Sequence, residues 1–363
     1  MKQRFYSLKN ILAKKCIYNM IFGERSNGKT YAALKHGLEQ FCVDGKQMAL
    51  IRRWKEDFTG KRGQSMFDAL VSNGEIKKLT SGEYTDVYYY GSRWFLCRYD
   101  EDGKRITHDR PLAYGFALSS MEHDKSTSYP DITTIVFDEF LTRTMYIPDE
   151  FVLFMNTIST IIRHRTDVKI FMLGNTVNKY CPYFKEMGLS HIKEMSPGDI
   201  DVYRYGDSDL TVAVEYTRPD KQGKESDMYF AFDNPKLSMI TGGAWEIDIY
   251  PHCPVKYKPK EVLFRYFIIF SGDVLQCEII QHEDNCFTFI HRKTTDLKDP
   301  DNDIIYSTEY DVRPNWKRKI TNPRTPIERK IIEHFQKDKV FYSDNEVGEV
   351  VRNYLMWCGK MVN

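Results

Sequence analysis

The sequence predicts an α/β protein built on a parallel β-sheet, followed by a smaller α+β domain. Short apolar runs at 17–22, 47–51 and 169–173 are typical of buried strands, and a fourth begins at Thr133 and ends in two acids. An amphipathic segment at 149–162 precedes the run at 169–173, and strands that alternate with helices form parallel sheets. A glycine-rich loop follows the first run, at the strand end where such sheets bind ligands.

That loop carries the most specific motif in the chain. It reads G-E-R-S-N-G-K-T, the G-x-x-x-x-G-K-T pattern of P-loop nucleotide-binding proteins, and the amphipathic segment 31–41 follows it. Its glycines allow the backbone to curve around a phosphate, and consecutive N–H groups form an anion-binding concavity at the helix N-terminus. Lys29 is expected to reach the β- and γ-phosphates of ATP, and the Thr30 hydroxyl to bind Mg²⁺. The candidate nucleotide-binding residues are Gly23, Glu24, Arg25, Ser26, Asn27, Gly28, Lys29 and Thr30.

The acids that end the apolar run from Thr133 form a second motif. Asp138 and Glu139 follow the run directly, which is the Walker B pattern. Asp138 is expected to hold Mg²⁺, directly or through water, and Glu139 to orient and deprotonate the attacking water. A glutamate at this position marks the ASCE branch of P-loop ATPases. An ordinary strand ending in solvated acids is the alternative, and the upstream loop argues against it.

A polar residue, Asn175, closes the run at 169–173. If that run is the next parallel strand, Asn175 lies at the same sheet edge as the acids. It is then placed to contact the γ-phosphate or the attacking water. A turn asparagine before a loop is the alternative.

The chain is predicted to have three parts: a P-loop ATPase domain at 1–200, a linker module with short strands at 201–250, and a C-terminal domain at 251–363. In the last part an antiparallel meander precedes two helices with capping boxes at Thr325 and Ser343. This order is compatible with an RNase H-like fold. The three meander strands are expected at Val262–Phe270, Val274–Ile280 and Cys286–Arg292.

The composition limits which partners and which kinds of site are compatible with the sequence. The net charge is +1 over 363 residues, so contacts with nucleic acid depend on local patches. The eight cysteines show no C-x-x-C spacing, which argues against a zinc site and favours a reducing compartment. Because no apolar run reaches membrane-spanning length, we expect a soluble intracellular protein without a membrane partner.

Several segments resemble the DNA-packaging (encapsidation) ATPases of small podophages that prime replication with a terminal protein. The resemblance covers the ATPase half best, whereas the C-terminal half matches only by length and strand–helix order. It implies a homo-oligomeric ring, a pentamer, that docks transiently on the portal (connector) of a procapsid in the host cytoplasm. Such a ring hydrolyses ATP and drives double-stranded DNA inward, and a structural packaging RNA is a further candidate partner. The similar segments are GERSNGKTYA, IRRWK, SYPDITTIVFDEF, YIPDE and the stretch from RHR to LGN.

The resemblance also implies two residues that act across a subunit boundary. Arg163 matches the arginine that completes a neighbour's site in this family, and Lys55 matches a second residue thought to act across the interface. An arginine finger stabilises charge on the γ-phosphoryl group. The alternatives are a surface salt bridge for Arg163 and a solvated loop lysine for Lys55.

The predicted C-terminal domain has few acids where a nuclease would need them. RNase H-like nucleases hold two metals with converging carboxylates, but the strand 262–270 contains no acid. Glu261 lies at its entrance and Glu278 is isolated. We therefore expect a module that binds the portal, a structural RNA or DNA and that is not an endonuclease. The basic stretch 313–330 is a candidate nucleic-acid contact, with a solvated loop as the alternative.

Three other functions remain open from the sequence: a terminase large subunit with an active nuclease, a P-loop helicase, and a nucleotide-switched assembly protein. Glu139 argues against the last, because a pure switch does not need a strong water activator. The sequence assigns no residue to the nucleotide base.

Overall fold

The structure, a computed structural model, describes residues 6–123, 128–218, 245–246 and 248–360. The chain divides into two compact units, residues 1–246 and 247–363. The strands of the first unit are β1 (Tyr18–Gly23), β2 (Gln47–Arg52), β3 (Asp86–Tyr90), β4 (Arg93–Tyr99), β5 (Arg105–Thr107), β6 (Ala113–Ala117), β7 (Ile132–Asp138), β8 (Lys169–Asn175), β9 (Ile200–Arg204) and β10 (Thr211–Tyr216). Its helices are α1 (Lys9–Leu12), α2 (Lys29–Asp44), α3 (Gly60–Gln64), α4 (Asp68–Ser72), α5 (Glu75–Leu79), α6 (Glu150–Ile162) and α7 (Pro182–Glu186).

The strands of the first unit form one sheet in the order β3-β4-β6-β2-β7-β8-β1-β10-β9, with β5 beside β4. The strands from β6 to β10 in this order run parallel, as predicted, and antiparallel strands flank them. β8 lies between the P-loop strand β1 and the acid-bearing strand β7, which is the strand arrangement of the ASCE branch. Because the three strands are parallel neighbours, their C-terminal ends lie side by side at one end of the sheet.

Helices cover both faces of this sheet because its central strands are apolar on both sides. Along β1, Met20 and Phe22 pack in one core with α6 and α7, while Ile21 packs in the other with α2. This alternation follows from the two-residue period of a strand. The packing holds α2, which begins at the P-loop, against the same strands that carry the acids.

The aromatic stretch 87–99 has the pattern of one strand, but the structure divides it into β3 and β4. Gly91 and Ser92 adopt φ values of 56° and 57°, which make a tight hairpin turn. The two strands extend the antiparallel edge of the sheet.

Two strands that the sequence assigned to a separate linker extend the first sheet instead. β10 pairs in parallel with β1, and β9 pairs with β10. The predicted boundary at residue 200 therefore falls too early, because the hydrogen bonds of β10 make this strand part of the sheet of the first unit. Within that predicted linker, residues 219–244 and 247 lie outside the described residues.

The second unit is an α+β domain. Its elements are β11 (Val262–Phe270), β12 (Asp273–His282), β13 (Asn285–Arg292), β14 (Ile304–Ser307), β15 (Trp316–Lys317), α8 (Pro326–Gln336), β16 (Val340–Tyr342) and α9 (Asn345–Lys360). The strands form a six-stranded sheet in the order β15-β14-β11-β12-β13-β16. The antiparallel meander of β11, β12 and β13 is confirmed, and β14 pairs in parallel with β11, as expected of an RNase H-like fold. The Thr325 hydroxyl caps α8 as predicted, whereas the carboxylate of Asp344, and not Ser343, caps α9.

Candidate nucleotide-binding site

The loop between β1 and α2 has the backbone that its glycines predict. Gly28 and Ser26 adopt left-handed φ values of 88° and 60°. A Cβ atom on Gly23 would lie 2.1 Å from the Oγ1 atom of Thr217, so a side chain does not fit there. The Arg25 guanidinium is half exposed and lies 3.1 Å from the Glu246 carboxylate. The loop thus leads directly into the N-terminus of α2, and the N-terminus of a helix is a position that favours a bound anion.

Lys29 is buried inside this loop. Its Nζ atom donates to the backbone oxygen of Glu24 at 2.6 Å, to Oδ1 of Asn27 at 3.2 Å and to Oδ1 of Asn175 at 3.4 Å. Burial lowers the pKa of Lys29 to about 8, although Asp138 and Glu24 act in the opposite direction. A desolvated ammonium in an anion-binding loop is stabilised when a phosphate enters, because the phosphate replaces the lost hydration.

The fold brings the predicted Mg²⁺ ligands together. The Thr30 hydroxyl donates to Oδ1 of Asp138 at 3.0 Å, although the two residues are 108 positions apart. Mg²⁺ prefers hard oxygen ligands, and nucleotide sites supply it with few protein groups besides phosphate oxygens and water. Thr30 and Asp138 therefore fit Mg²⁺ by the chemistry of their donor atoms.

Asn175 lies where the sequence placed it, at the end of β8. The register of the sheet sets Asn175 beside Gly23. Its amide oxygen accepts from Lys29, as described above, so it borders the phosphate-binding loop. Its predicted role toward the γ-phosphate stays a prediction.

Arg52, the last residue of β2, contacts both Walker B acids. Its guanidinium lies 2.8 Å from Oδ2 of Asp138 and 2.8 Å from Oε2 of Glu139. Glu139 has a left-handed backbone with φ of 60°, and its side chain is 64% exposed. Arg52 thus offsets the charge of two adjacent carboxylates and holds the predicted water activator. Nothing in the sequence singled out Arg52, because the pairing of β2 with β7 appears only in the fold.

A second residue that the sequence did not reveal, Arg53, fixes the chain just after the acids. It forms a buried bidentate ion pair with Glu150, with both nitrogen–oxygen distances at 2.8 Å. It also donates to the backbone oxygens of Glu139 and Phe140. The Tyr183 hydroxyl donates to Glu150 at 2.9 Å. This network ties the end of β7 to the beginning of α6.

Replacing Arg53 by methionine is expected to lower the free energy of unfolding by about 3–5 kcal/mol, because it leaves Glu150 buried and charged without its partner. Urea denaturation followed by circular dichroism measures the change. Arg62→Met is the matched control, since Arg62 is 72% exposed. A loss no larger than that of the control would show that the buried pair does not support the fold.

Arg163 lies near the end of the sheet at which the parallel strands begin, whereas the phosphate-binding loop of its own subunit lies where they end. Arg165 donates to the backbone oxygens of Pro130 and Ile132, at the beginning of β7. Asp138 ends that strand, and seven residues of strand span about 20 Å. Arg163 follows α6 directly and is exposed. It is therefore remote from the acids of its own chain.

Lys55, unlike Arg163, lies near the candidate site of its own chain. It is exposed and begins the 3₁₀ turn Lys55–Phe58, just after Arg52. Its backbone N–H donates to Ser119 at 3.2 Å. The predicted role of Lys55 across a subunit interface therefore stays a prediction.

Glu278, on the central strand of the meander in the second unit, accepts hydrogen bonds from residues of its own unit. Glu278 is 5% exposed and accepts hydrogen bonds from Tyr257, Arg265 and Gln276. Burial opposes ionisation, but these hydrogen bonds lower the pKa of Glu278 below its usual value. Within the described residues, no group of three or more His, Cys, Asp or Glu side chains is placed to hold a metal ion.

The basic stretch 313–330 is partly neutralised within its own unit. Arg313 pairs with Asp301 and Asp311, and Lys317 pairs with the buried Glu328. Less positive charge is thus available to a phosphate backbone than the sequence indicated. In the part of the chain that the structure describes, no helix is long and apolar enough to cross a membrane.

Comparison with known proteins agrees with these motifs. The profile of the family described as Podovirus DNA encapsidation protein (Gp16) matches residues 1–196. The DNA packaging proteins of Bacillus phages PZA and phi29 are each 30% identical over 186 residues, which cover 50% of this chain and 50% of each relative. The DNA packaging protein of Bacillus phage B103 is 29% identical over 177 residues, 48% of either chain. The chain thus spans about half the length of the curated relatives it matches.

Two solved structures share the fold over nearly the whole chain. The bacteriophage Phi-29 viral genome packaging motor assembly has a TM-score of 0.57 at 20% identity and covers 98% of both chains. The Phi-28 gp11 DNA packaging motor has a TM-score of 0.50 at 20% identity and covers 99% of both. At this identity the likeness shows the fold, and it confirms the predicted P-loop domain followed by an α+β domain.

Proposed function

Because the chain belongs to the Podovirus DNA encapsidation protein (Gp16) family, we propose that it is an ATP-driven motor that moves double-stranded DNA into a viral procapsid. The observation that carries the proposal is the convergence at one sheet edge of a buried loop lysine, a hydroxyl–carboxylate pair and an adjacent glutamate. These are Lys29, Thr30 with Asp138, and Glu139. The curated relatives are DNA packaging proteins, and the match covers about half of the length of each.

Each group at the site has a separate part in ATP hydrolysis. The loop amides and Lys29 bind the phosphates, and Thr30 and Asp138 hold Mg²⁺, which offsets negative charge on phosphate oxygens when bound. Glu139 orients the attacking water and accepts its proton. Asn175, beside Lys29, contacts the γ-phosphate or the water.

The site of one subunit needs a further cation, and Arg163 of a neighbour supplies it. Two arginines of the same chain are already paired: Arg52 with both acids, and Arg25 of the loop with Glu246. Arg163 lies at the far edge of its own sheet, which supports action on a second subunit and hence a homo-oligomeric ring. A pentamer, the procapsid portal, a packaging RNA, a role for Lys55 and transient docking in the host cytoplasm belong to this proposal through the family resemblance.

The ATPase rate of the purified protein, measured with Mg²⁺ with and without double-stranded DNA, tests the proposal. We expect hydrolysis that DNA stimulates. Hydrolysis that DNA does not change would contradict the motor. ATP binding without turnover under every condition would favour a nucleotide-switched assembly protein, and separation of a forked duplex would favour a helicase.

We expect the C-terminal domain to bind DNA without cutting it. β11 carries no acid, and Glu278 is held by three hydrogen-bond donors, so converging carboxylates are missing from the described part of this sheet. Supercoiled plasmid incubated with the protein and Mn²⁺ should stay intact. Linearisation that disappears in a Glu261→Gln or Glu278→Gln variant would contradict this prediction and favour a terminase.

A further inference from the structure

Tyr6 connects the P-loop with the strand beside it. Its backbone N–H donates to the backbone oxygen of Asn27 at 3.0 Å, and its hydroxyl donates to Oε2 of Glu215 in β10 at 2.6 Å. The Asn27 side chain, in turn, contacts Lys29 and Thr217. One aromatic side chain therefore reaches from the phosphate-binding loop to β10.

The order of the strands separates the two ends of a bound nucleotide. Asn175 ends β8 and Asp138 ends β7, and both strands lie on one side of β1. A triphosphate bound in the loop would direct its terminal phosphate toward these residues. The nucleoside at the other end therefore leaves the loop on a different side, and β10 borders β1 on the side away from β8.

A cavity opens at that place. Its volume is about 420 Å³, and its walls include Tyr6, Asn27, Glu215 and Thr217. Binding sites for small molecules have volumes of about 300–1,000 Å³. Asn27 belongs to both the cavity wall and the P-loop, so a ligand in the cavity is continuous with the phosphate site.

A buried carboxylate is one of the polar groups that line this cavity, together with Ser7, Asn10 and Arg218. Glu215 is 8% exposed, and burial raises the pKa of Glu215 although the hydrogen bond from Tyr6 lowers it. A carboxylate has about four positions at which it accepts hydrogen bonds, so Glu215 retains capacity beyond the Tyr6 hydroxyl. An amino group in the cavity would find an acceptor there.

We propose that this cavity binds the base of the nucleotide, with the Tyr6 ring packed against a purine and Glu215 accepting a hydrogen bond from its exocyclic amine. The ligand class is an aminopurine nucleoside triphosphate. The inference rests on the proposed ATPase function and extends it, because it assigns selectivity for the base to the N-terminal segment and β10.

Equilibrium binding by calorimetry tests the stacking part. Tyr6→Ala is expected to weaken ATP binding about tenfold, because stacking of a base on an aromatic side chain contributes about 1–3 kcal/mol. Tyr6→Phe keeps the ring and should restore most of the affinity. Inorganic tripolyphosphate, which has no base, should bind wild type and both variants equally, and its binding also shows that each variant is folded.

Selectivity for the amine tests the role of Glu215. Wild type should prefer ATP to purine riboside triphosphate, which lacks the amine, and Glu215→Met should reduce this preference about tenfold through loss of a hydrogen bond to a charged group. Glu75→Met is the matched control, since Glu75 borders a neighbouring cavity of about 510 Å³ with Tyr31 and Lys35.

Two results would overturn the inference: unchanged ATP affinity in Tyr6→Ala, or an amine preference that responds to Glu75→Met and not to Glu215→Met. The second would place the base in the neighbouring cavity. Since every readout is binding, an absence of ATP turnover would count against the proposed function alone.

Discussion

Glu139→Gln protein is expected to bind ATP with wild-type affinity and to hydrolyse it about 10²–10⁴-fold more slowly, because the amide does not accept the proton of the attacking water. The groups to which phosphate and Mg²⁺ binding is assigned, Lys29, Thr30 and Asp138, are not altered in this variant. Glu139 is 64% exposed and is held by Arg52, so the substitution removes one ion pair at the surface and leaves the core unchanged.

Comparison with Lys29→Ala separates binding from chemistry. That variant loses the ammonium inside the loop and should fail to bind ATP, whereas Glu139→Gln should still bind it. Single-turnover hydrolysis and calorimetric ATP binding measure the two effects. Asp44→Asn is the matched carboxylate-to-amide control, because Asp44 is exposed at the opposite end of α2. Turnover close to wild type in Glu139→Gln would remove Glu139 from its assigned role.

Arg163→Ala protein should bind ATP normally and lose about 10³–10⁵ in hydrolysis rate, the range that arginine fingers supply. The reason is geometric: α6 has 13 residues and is about 20 Å long, and Arg163 follows its far end. The residue therefore does not reach the phosphate-binding loop of its own subunit, and we propose that it acts on the site of a neighbour.

Mixing two inactive proteins tests this arrangement. Arg163→Ala retains Glu139, and Glu139→Gln retains Arg163, so a mixed ring contains some interfaces with both groups intact. Recovered ATPase activity is the expected result. Arg62→Ala, which alters an exposed arginine on α3, controls for loss of surface charge. No recovery in rings shown to be mixed would indicate that Arg163 acts within its own subunit or only supports the fold.

Local patterns in the sequence were sufficient for the P-loop, the Walker B acids and the meander of the second unit. Each depends on neighbouring residues: glycines and a lysine at set spacing, apolar runs that end in acids, and capping at Thr325. A short motif of this kind carries its own backbone geometry. The position of Asn175 was also predictable, because parallel strands bring their ends to one edge.

Only the tertiary structure decided which distant residues complete the site. Arg52 meets Asp138 and Glu139 because β2 pairs with β7, and Glu215 meets Tyr6 because β10 pairs with β1. Strand order of this kind arises from the packing of the whole domain and leaves no local pattern. Because strand order leaves no local pattern, the domain boundary was predicted before β10. The hydrogen bonds between β10 and β1 show that β10 belongs to the sheet of the first unit.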